Sequence, residues 1–437
     1  MSAPKLSAHF ASRKPSAIRM AQIEFMKRTD GVASVNAAIG NVSLPMHPAM
    51  QARMRALGDA DSPFADGVVK YSATVGIPEC QQAFLNIIAS SGFDTDGLMV
   101  QVTDGGSAAM ELVIVGICGP AGSDERPLML IDAAYTNYLA MAARTGRATV
   151  SVRRTLGADG RFSLPDLAEI EATIQQHRPG GLVVIPYDNP TGHYYDHDTL
   201  VTLARLCVKY DLWMISDEAY RELFYTGQRT SSVWAITEAE VPGITGRRIS
   251  IETASKVWSA CGLRTGALVS DDPEFHAKAV AENTANLCPN IIGQWIFASL
   301  AHESHDDLQA WYQQQRDYYA DMLTSVSQGL RDRVPGVIVS SPDASIYSVI
   351  EVRDCVKPGF DAMDFVMYCA RQGYVEIDGE RLTLLVSPMA GFYRPVPGVP
   401  NPGHTQMRIA YVETPARMKL LPRLFAELLA QYEDKRA

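Results

Sequence analysis

The sequence predicts an α/β fold: a mostly parallel sheet sandwiched by helices, with a smaller α+β domain attached. Three observations lead there. Short β-rich runs alternate with helical patterns between residues 98 and 271. One of these runs, residues 181–187, is apolar almost without interruption, as a strand buried on both faces must be. The glycine-bearing and polar motifs follow directly on the strands, at the end where open α/β sheets bind ligands.

The elements can be justified in chain order. A helical pattern covers residues 13–30, with Ile18, Ala21, Ile23, Phe25 and Met26 mostly on one side. Residues 35–40 read as a short strand ending in Gly40, followed by a loop to Pro48, where His47-Pro48 opens a helix to about residue 57. The stretch 71–79 (YSATVGIPE) leads into another helix. Residues 98–103 form a strand that turns through Asp104-Gly105-Gly106-Ser107 into a buried helix at 108–116. Strands at 127–132 and 148–154 come next, then a helix at 164–177 with its cap near Ser163. The buried strand 181–187 ends in Asp188-Asn189-Pro190-Thr191-Gly192. A helix at 200–210 and a strand at 212–216 lead to Asp217-Glu218-Ala219-Tyr220, and the strand 248–253 leads to Ser255-Lys256.

Beyond residue 271 the texture changes. Helices are expected at 272–286, from 294 to 300 and from about 306 to 330. A strand, a helix and two more strands follow at 337–352, 362–372, 383–388 and 407–411, with a last helix at 415–432. The proline-rich loop 384–402 is expected to be mobile enough to gate a site. The expected domains are an N-terminal arm with part of the small domain (1–47), a large domain (48–305) and a small C-terminal domain (306–437).

A chain of 437 residues is too long for one ordinary core. The net charge of −10 argues against a nucleic-acid surface and offers no polybasic patch for a membrane. No apolar run approaches spanning length. The first twenty residues mix basic residues and serines without a hydrophobic signal core, and read as an arm or first helix. The seven cysteines are odd in number and form no CxxC, which reads as reduced thiols in a cytoplasmic enzyme.

Several motifs carry chemistry. A lysine directly after an apolar strand has a partly desolvated amine, and desolvation favours the neutral, nucleophilic form. Gly105-Gly106-Ser107, a glycine turn between a strand and a helix, is an anion-binding arrangement: free N–H groups and the positive helix end face the ligand. It is neither GxxxxGK[ST] nor GxGxxG. Asp217 at a strand end is either a helix cap or a carboxylate with a catalytic partner. Taken singly, Tyr71 and Tyr135 are as readily packing residues, Gly40 a turn glycine and Arg408 a solvent-facing strand residue.

Together the motifs resemble the class I/II aminotransferases, enzymes of the fold type I pyridoxal-phosphate family. The resemblance spans nearly the whole chain: YxxxxG at Tyr71–Gly76, TxGxxxA at residues 103–109, AxYxxY where the family usually has PxYxxY, NPTG at 189–192, DExY at 217–220, SKxxxxxGxRxG at 255–266 and RIA at 408–410. It implies pyridoxal 5'-phosphate bound as a Schiff base by Lys256. The phosphate would be held by Gly105, Gly106, Ser107, Thr253, Arg264 and the Tyr71 of a neighbouring subunit, which implies a homodimer with shared sites. Tyr135 would stack on the pyridine ring, in a loop altered by Ala133 in place of proline. Asn189 and Tyr220 would reach the phenolic oxygen, and Asp217 the ring nitrogen.

The substrate would meet Gly40, Asn189 and, at its α-carboxylate, Arg408. The implied reaction moves the amino group of an L-amino acid to a 2-oxo acid by a ping-pong mechanism, with Lys256, Asp217 and Tyr220 as catalytic residues. β-Eliminating C–S lyases and cyclopropane-forming synthases of the same fold share these cofactor motifs and stay open. No second arginine for an acidic substrate side chain stands out; Asn41, Thr136 and Tyr347 are candidates for the entrance.

Overall fold

The computed structural model describes residues 4–436. Its larger sheet has seven strands in the order Met99–Thr103, Gly266–Ser270, Arg248–Thr253, Trp213–Asp217, Gly181–Val184, Leu128–Asp132 and Thr149–Arg153. Gly266–Ser270 is antiparallel to both its neighbours, and all the other pairings are parallel. Leu128–Asp132 and Gly181–Val184 are buried at every position, as their apolar runs require, with the buried Asp132 closing the first. Chain order reverses between these two strands, so the crevice at their carboxyl ends is the topological switch point of the sheet. The mostly parallel α/β fold is thus as the sequence predicts.

Two further sheets are built from the ends of the chain. Ala33–Asn36 pairs in parallel with Glu380–Leu385, which pairs antiparallel with Val375–Ile377. The strands Ile338–Val339, Tyr347–Glu351, Gln406–Ala410 and Ser387–Pro388 form a four-stranded antiparallel sheet. The helix His305–Arg333, 29 residues long, packs on both Pro78–Ser90 and the last helix, Leu421–Lys435, and so ties the two parts together. Ser304 caps it by accepting from Asp307 N, and Asp306 and Asp307 complement the positive helix end.

Element boundaries differ from the sequence reading for local reasons. The first long helix is Ala17–Phe25, since Pro15 disfavours helix in the residue before it and Ser16 supplies the cap. The helix expected from 164 starts at Leu167, capped by Asp166, because Phe162–Ser163 is taken by a hairpin with Thr155–Leu156. The expected last helix is two, Pro415–Met418 and Leu421–Lys435. Pro422 has no N–H to continue the first, but fits the opening turn of the second.

The loop 384–402 is not the free flap its prolines predict. Ser387–Pro388 pairs with Met407 and Arg408, and Met389, Phe392 and Tyr393 are buried. Arg394 N donates to Asp132 Oδ2 at 2.6 Å. The exposed part is mainly the stretch 395–400.

Among the described residues no helix is long and apolar enough to cross a membrane, and all seven cysteines are unpaired.

Candidate active site

A cleft of about 830 Å³ opens at the carboxyl ends of the large sheet, closed on its other side by the small sheets and by helix Ala17–Phe25. It brings together eleven of the thirteen side chains and glycines singled out from the sequence. Tyr71 and Gly105 are the two outside its lining.

Lys256 follows the strand Arg248–Thr253, is half-buried and donates from Nζ to Gly40 O at 2.5 Å. Gly40 has to be glycine, since a Cβ there would collide with the Tyr347 hydroxyl and stand 3.2 Å from Lys256 Nζ. Thr253 Oγ1 and Ser255 Oγ are 2.8 Å apart beside the lysine. Arg264 sits in the left-handed region (φ 51°), with its Nη1 and Nη2 donating to Cys261 O and Asp104 O. Its guanidinium lies over Gly105, where any Cβ would strike it and where φ is +84°. Gly105 thus shapes the cleft from just behind its surface. Helix Gly106–Ile117 starts there without a side-chain cap, so its first N–H groups face the cleft. Gly266, the last glycine of the lysine motif, lets its strand pass this turn: a Cβ would come within 2.5 Å of Gly106 N.

Asp217 ends the strand Trp213–Asp217. Burial raises its carboxyl above the usual range, while Tyr138, donating to Oδ2 at 2.5 Å, and Ala219 N–H, 3.1 Å from Oδ1, pull the other way. Tyr135 lies edge-to-face with Tyr138, ring centroids 5.5 Å apart, and burial pushes its phenol up to about 12. Tyr220 shares a 2.8 Å hydroxyl–hydroxyl bond with Tyr347. Arg408, buried in the strand Gln406–Ala410, donates to Asn189 Oδ1 and to Ala38 O, both at 2.8 Å, between the rings of Tyr347 and Phe392. Its Nε has no partner among the described residues.

Tyr71 stands apart. It is 79% exposed, in the loop before helix Pro78–Ser90. Asn41 and Thr136 line the cleft as expected, whereas Tyr347 is a buried part of its floor rather than of its entrance.

Three residues escaped the sequence reading. Tyr138 was visible as the second tyrosine of AxYxxY, without an assigned partner. Arg154 is 2% exposed and joins the two loops at the switch point, binding Asp188 on one side and the carbonyls of Ile131 and Ala133 on the other. Arg19 reaches the cleft from helix Ala17–Phe25, and nothing in its neighbours' sequence announces that.

Comparison with known proteins gives a consistent picture. Residues 39–391 match the profile of the family described as aminotransferase class I and II. An aspartate/prephenate aminotransferase of Thermus thermophilus is 27% identical over 370 residues, 80% of this chain and 86% of that protein. An arginine–pyruvate transaminase of Pseudomonas aeruginosa is 30% identical over 41% of this chain and 42% of its own length. Among solved structures, the aspartate aminotransferase from Thermus thermophilus with maleate superimposes with a TM-score of 0.77 at 22% identity, covering 98% of this chain and all of that one.

Proposed function

Because the chain belongs to the class I and II aminotransferase family, we propose that it is a pyridoxal-phosphate-dependent aminotransferase that moves the amino group of an L-amino acid to a 2-oxo acid, the two substrates using one site in turn. The observation that carries this reading is the convergence of Lys256, Asp217, Asn189 and Arg264, from the ends of three separate strands, on one cleft.

The residues fit the cofactor. The uncapped start of helix Gly106–Ile117, Thr253, Ser255 and Arg264 make a phosphate cradle, and a Cβ at Gly105 would push the Arg264 guanidinium out of its place in it. Asp217 is a half-buried carboxylate with no ion-pair partner within reach among the described residues, and a protonated ring nitrogen would supply one. Tyr135 offers an aromatic face, Asn189 and Tyr220 offer polar groups for the phenolic oxygen, and Lys256 offers the amine for a Schiff base. When bound, pyridoxal phosphate supplies a sink for the electron pair left as the substrate Cα–H bond breaks.

The chain's own groups do the rest. Arg408 holds the substrate α-carboxylate with its planar fork and so orients Cα. The Lys256 amine, beside the substrate Cα, would take the Cα proton as general base and return a proton as general acid. Asp217 would hold the proton on the ring nitrogen of the bound cofactor. The exposed Tyr71 supports a homodimer in which each subunit reaches the phosphate of its neighbour.

Cofactor-loaded protein mixed with a panel of L-amino acids, without any oxo acid, tests the proposal. Stoichiometric loss of the visible band without ammonia is the expected result. Continuous ammonia release would make the protein an eliminating lyase, and no spectral response to any amino acid would sink the reading.

A further inference from the structure

Two of the strands that feed the cleft run side by side, and their ladder stops short of the chemistry. Trp213–Asp217 and Arg248–Thr253 pair in parallel up to Asp217 opposite Ile251, and Glu218 N donates to Ile251 O at 3.0 Å. Beyond that bond, among the described residues, no backbone hydrogen bond joins the turn carrying Tyr220 to the turn carrying Lys256. A side-chain pair takes over. Arg221 Nη1 and Nη2 donate to Glu252 Oε1 and Oε2 at 2.8 and 2.9 Å, a parallel two-bond fork.

Arg221 and Glu252 are both buried. Ile251 and Thr253 line the cleft, so strand alternation turns Glu252 to the far side of the cleft wall. Ser250 Oγ donates to Glu252 Oε1 at 2.8 Å and is itself held by Trp234 Nε1 at 3.0 Å. Glu218 lies alongside as a second carboxylate. Its Oε1 accepts from Ser216 Oγ and Ser232 Oγ, both at 2.8 Å, and its Oε2 stands 3.7 Å from Arg221 Nη1. Burial pushes the Glu218 carboxyl up to about 7 against the pull of Arg221, and the Glu252 charge pushes the same way as burial. The guanidinium therefore gives its fork to Glu252.

Nothing in the proposed reaction uses this pair. A buried ion pair is also a poor source of stability, since desolvating both charges costs about as much as their attraction returns. What it provides is a fixed register between two turns. We infer that Arg221 and Glu252 are positioning residues, whose fork holds Asp217 and Tyr220 in place relative to Lys256. The inference rests on the aminotransferase reading, which needs the carboxylate, the phenol and the amine to meet one cofactor. Trp311 Nε1 donates to Val257 O at 2.9 Å and ties the lysine turn to helix His305–Arg333, so the fork completes a frame around that turn. A misplacement of about 1 Å at such groups can cost about a hundredfold in rate.

Two variants test the assignment. Arg221→Met/Glu252→Met removes both charges together and fills the space, and Arg221→Lys keeps the charge without the fork. Each is compared with the wild type by denaturant unfolding, by titration with pyridoxal phosphate, and by steady-state kinetics of the loaded enzyme. The double variant should unfold close to the wild type, because an apolar pair replaces a buried ion pair at little cost. It should nonetheless bind the cofactor about tenfold more weakly and lose kcat about tenfold or more, with donor KM little changed because Arg408 is untouched. Arg221→Lys should lose less, in the same direction. If the double variant fails to fold, Arg221→Lys decides the case through the same two readouts. Wild-type cofactor affinity and kcat in the folded variants would reduce the pair to packing and overturn the inference, as would a loss confined to KM. A wild type that binds the cofactor but converts no amino donor would sink the aminotransferase reading, and the cofactor affinities would still decide this inference.

Discussion

Arg408 donates from Nη1 to Asn189 Oδ1 at 2.8 Å, joining a strand of the small sheet to the NPTG loop of the large one. In the proposed reaction these residues serve substrate and cofactor respectively, so a change in one is felt by the other. Arg408→Lys keeps the charge but loses the fork and the contact with the Tyr347 and Phe392 rings. KM for amino donors should rise about tenfold or more, and the visible band of the bound cofactor should move. Steady-state kinetics with spectra of the loaded enzyme would check both.

Lys256→Ala should abolish turnover and the Schiff-base absorbance together, while the folded protein still binds the cofactor non-covalently. Retained turnover would remove Lys256 from the reaction.

Tyr138→Phe removes the hydroxyl 2.5 Å from Asp217 Oδ2. That bond is one of the few influences opposing burial at this carboxyl, so its loss should raise the carboxyl further and weaken its hold on a cationic ring nitrogen. Cofactor affinity and kcat should each fall about tenfold, with KM little changed. Unaltered cofactor affinity would show that Asp217 does not depend on Tyr138.

Arg154→Met should destabilise the fold by about 3–5 kcal/mol, because Asp188 is left buried without its cation. Adding Asp188→Asn should recover part of that loss. Denaturant unfolding of the two single variants and the double variant measures the coupling, and additive losses would contradict the pairing.

His47 is buried among Trp258 and Trp311, and burial lowers its pKa to about 4, against a weaker opposite pull from Asp307. Between pH 6.5 and 4 the unfolded chain therefore takes up a proton that the folded chain refuses. Its contribution to stability should decline as pH falls through that window and be flat above it. His47→Asn keeps an acceptor for Ala49 N and should flatten this part of the profile. An unchanged acid slope in thermal melts across that range would count against it.

Much of the site could be read from sequence because it is punctuated locally. Asn189 and Lys256 each follow a strand within a few residues and Asp217 ends one, and strand ends are where an α/β sheet gathers its ligands. What could not be read depends on contacts distant in sequence. Arg154 looks like an ordinary strand-end arginine until the fold wraps two loops around it. Arg19 faces the cleft because Ile18 and Gln22 dock its helix on residues from the other end of the chain and on Asn36. The proline-rich loop misled because proline content reports an inability to extend a ladder, and says nothing of the packing of Phe392 and Tyr393.

The parallel pairing of Ala33–Asn36 with Glu380–Leu385 has a bearing on how the protein is made. Residues 37–41 continue from the first of these strands, and Arg408 lies beyond the second. The seven strands of the large sheet are complete once Ser270 has emerged from a ribosome, whereas the wall holding Gly40 and Arg408 must wait for the final part of the chain. Cofactor-holding and substrate-holding halves are therefore separated in time during synthesis. The early strand Ala33–Asn36 spends that interval with an open edge, the interval in which a chaperone or a bound cofactor would do most to protect the nascent protein.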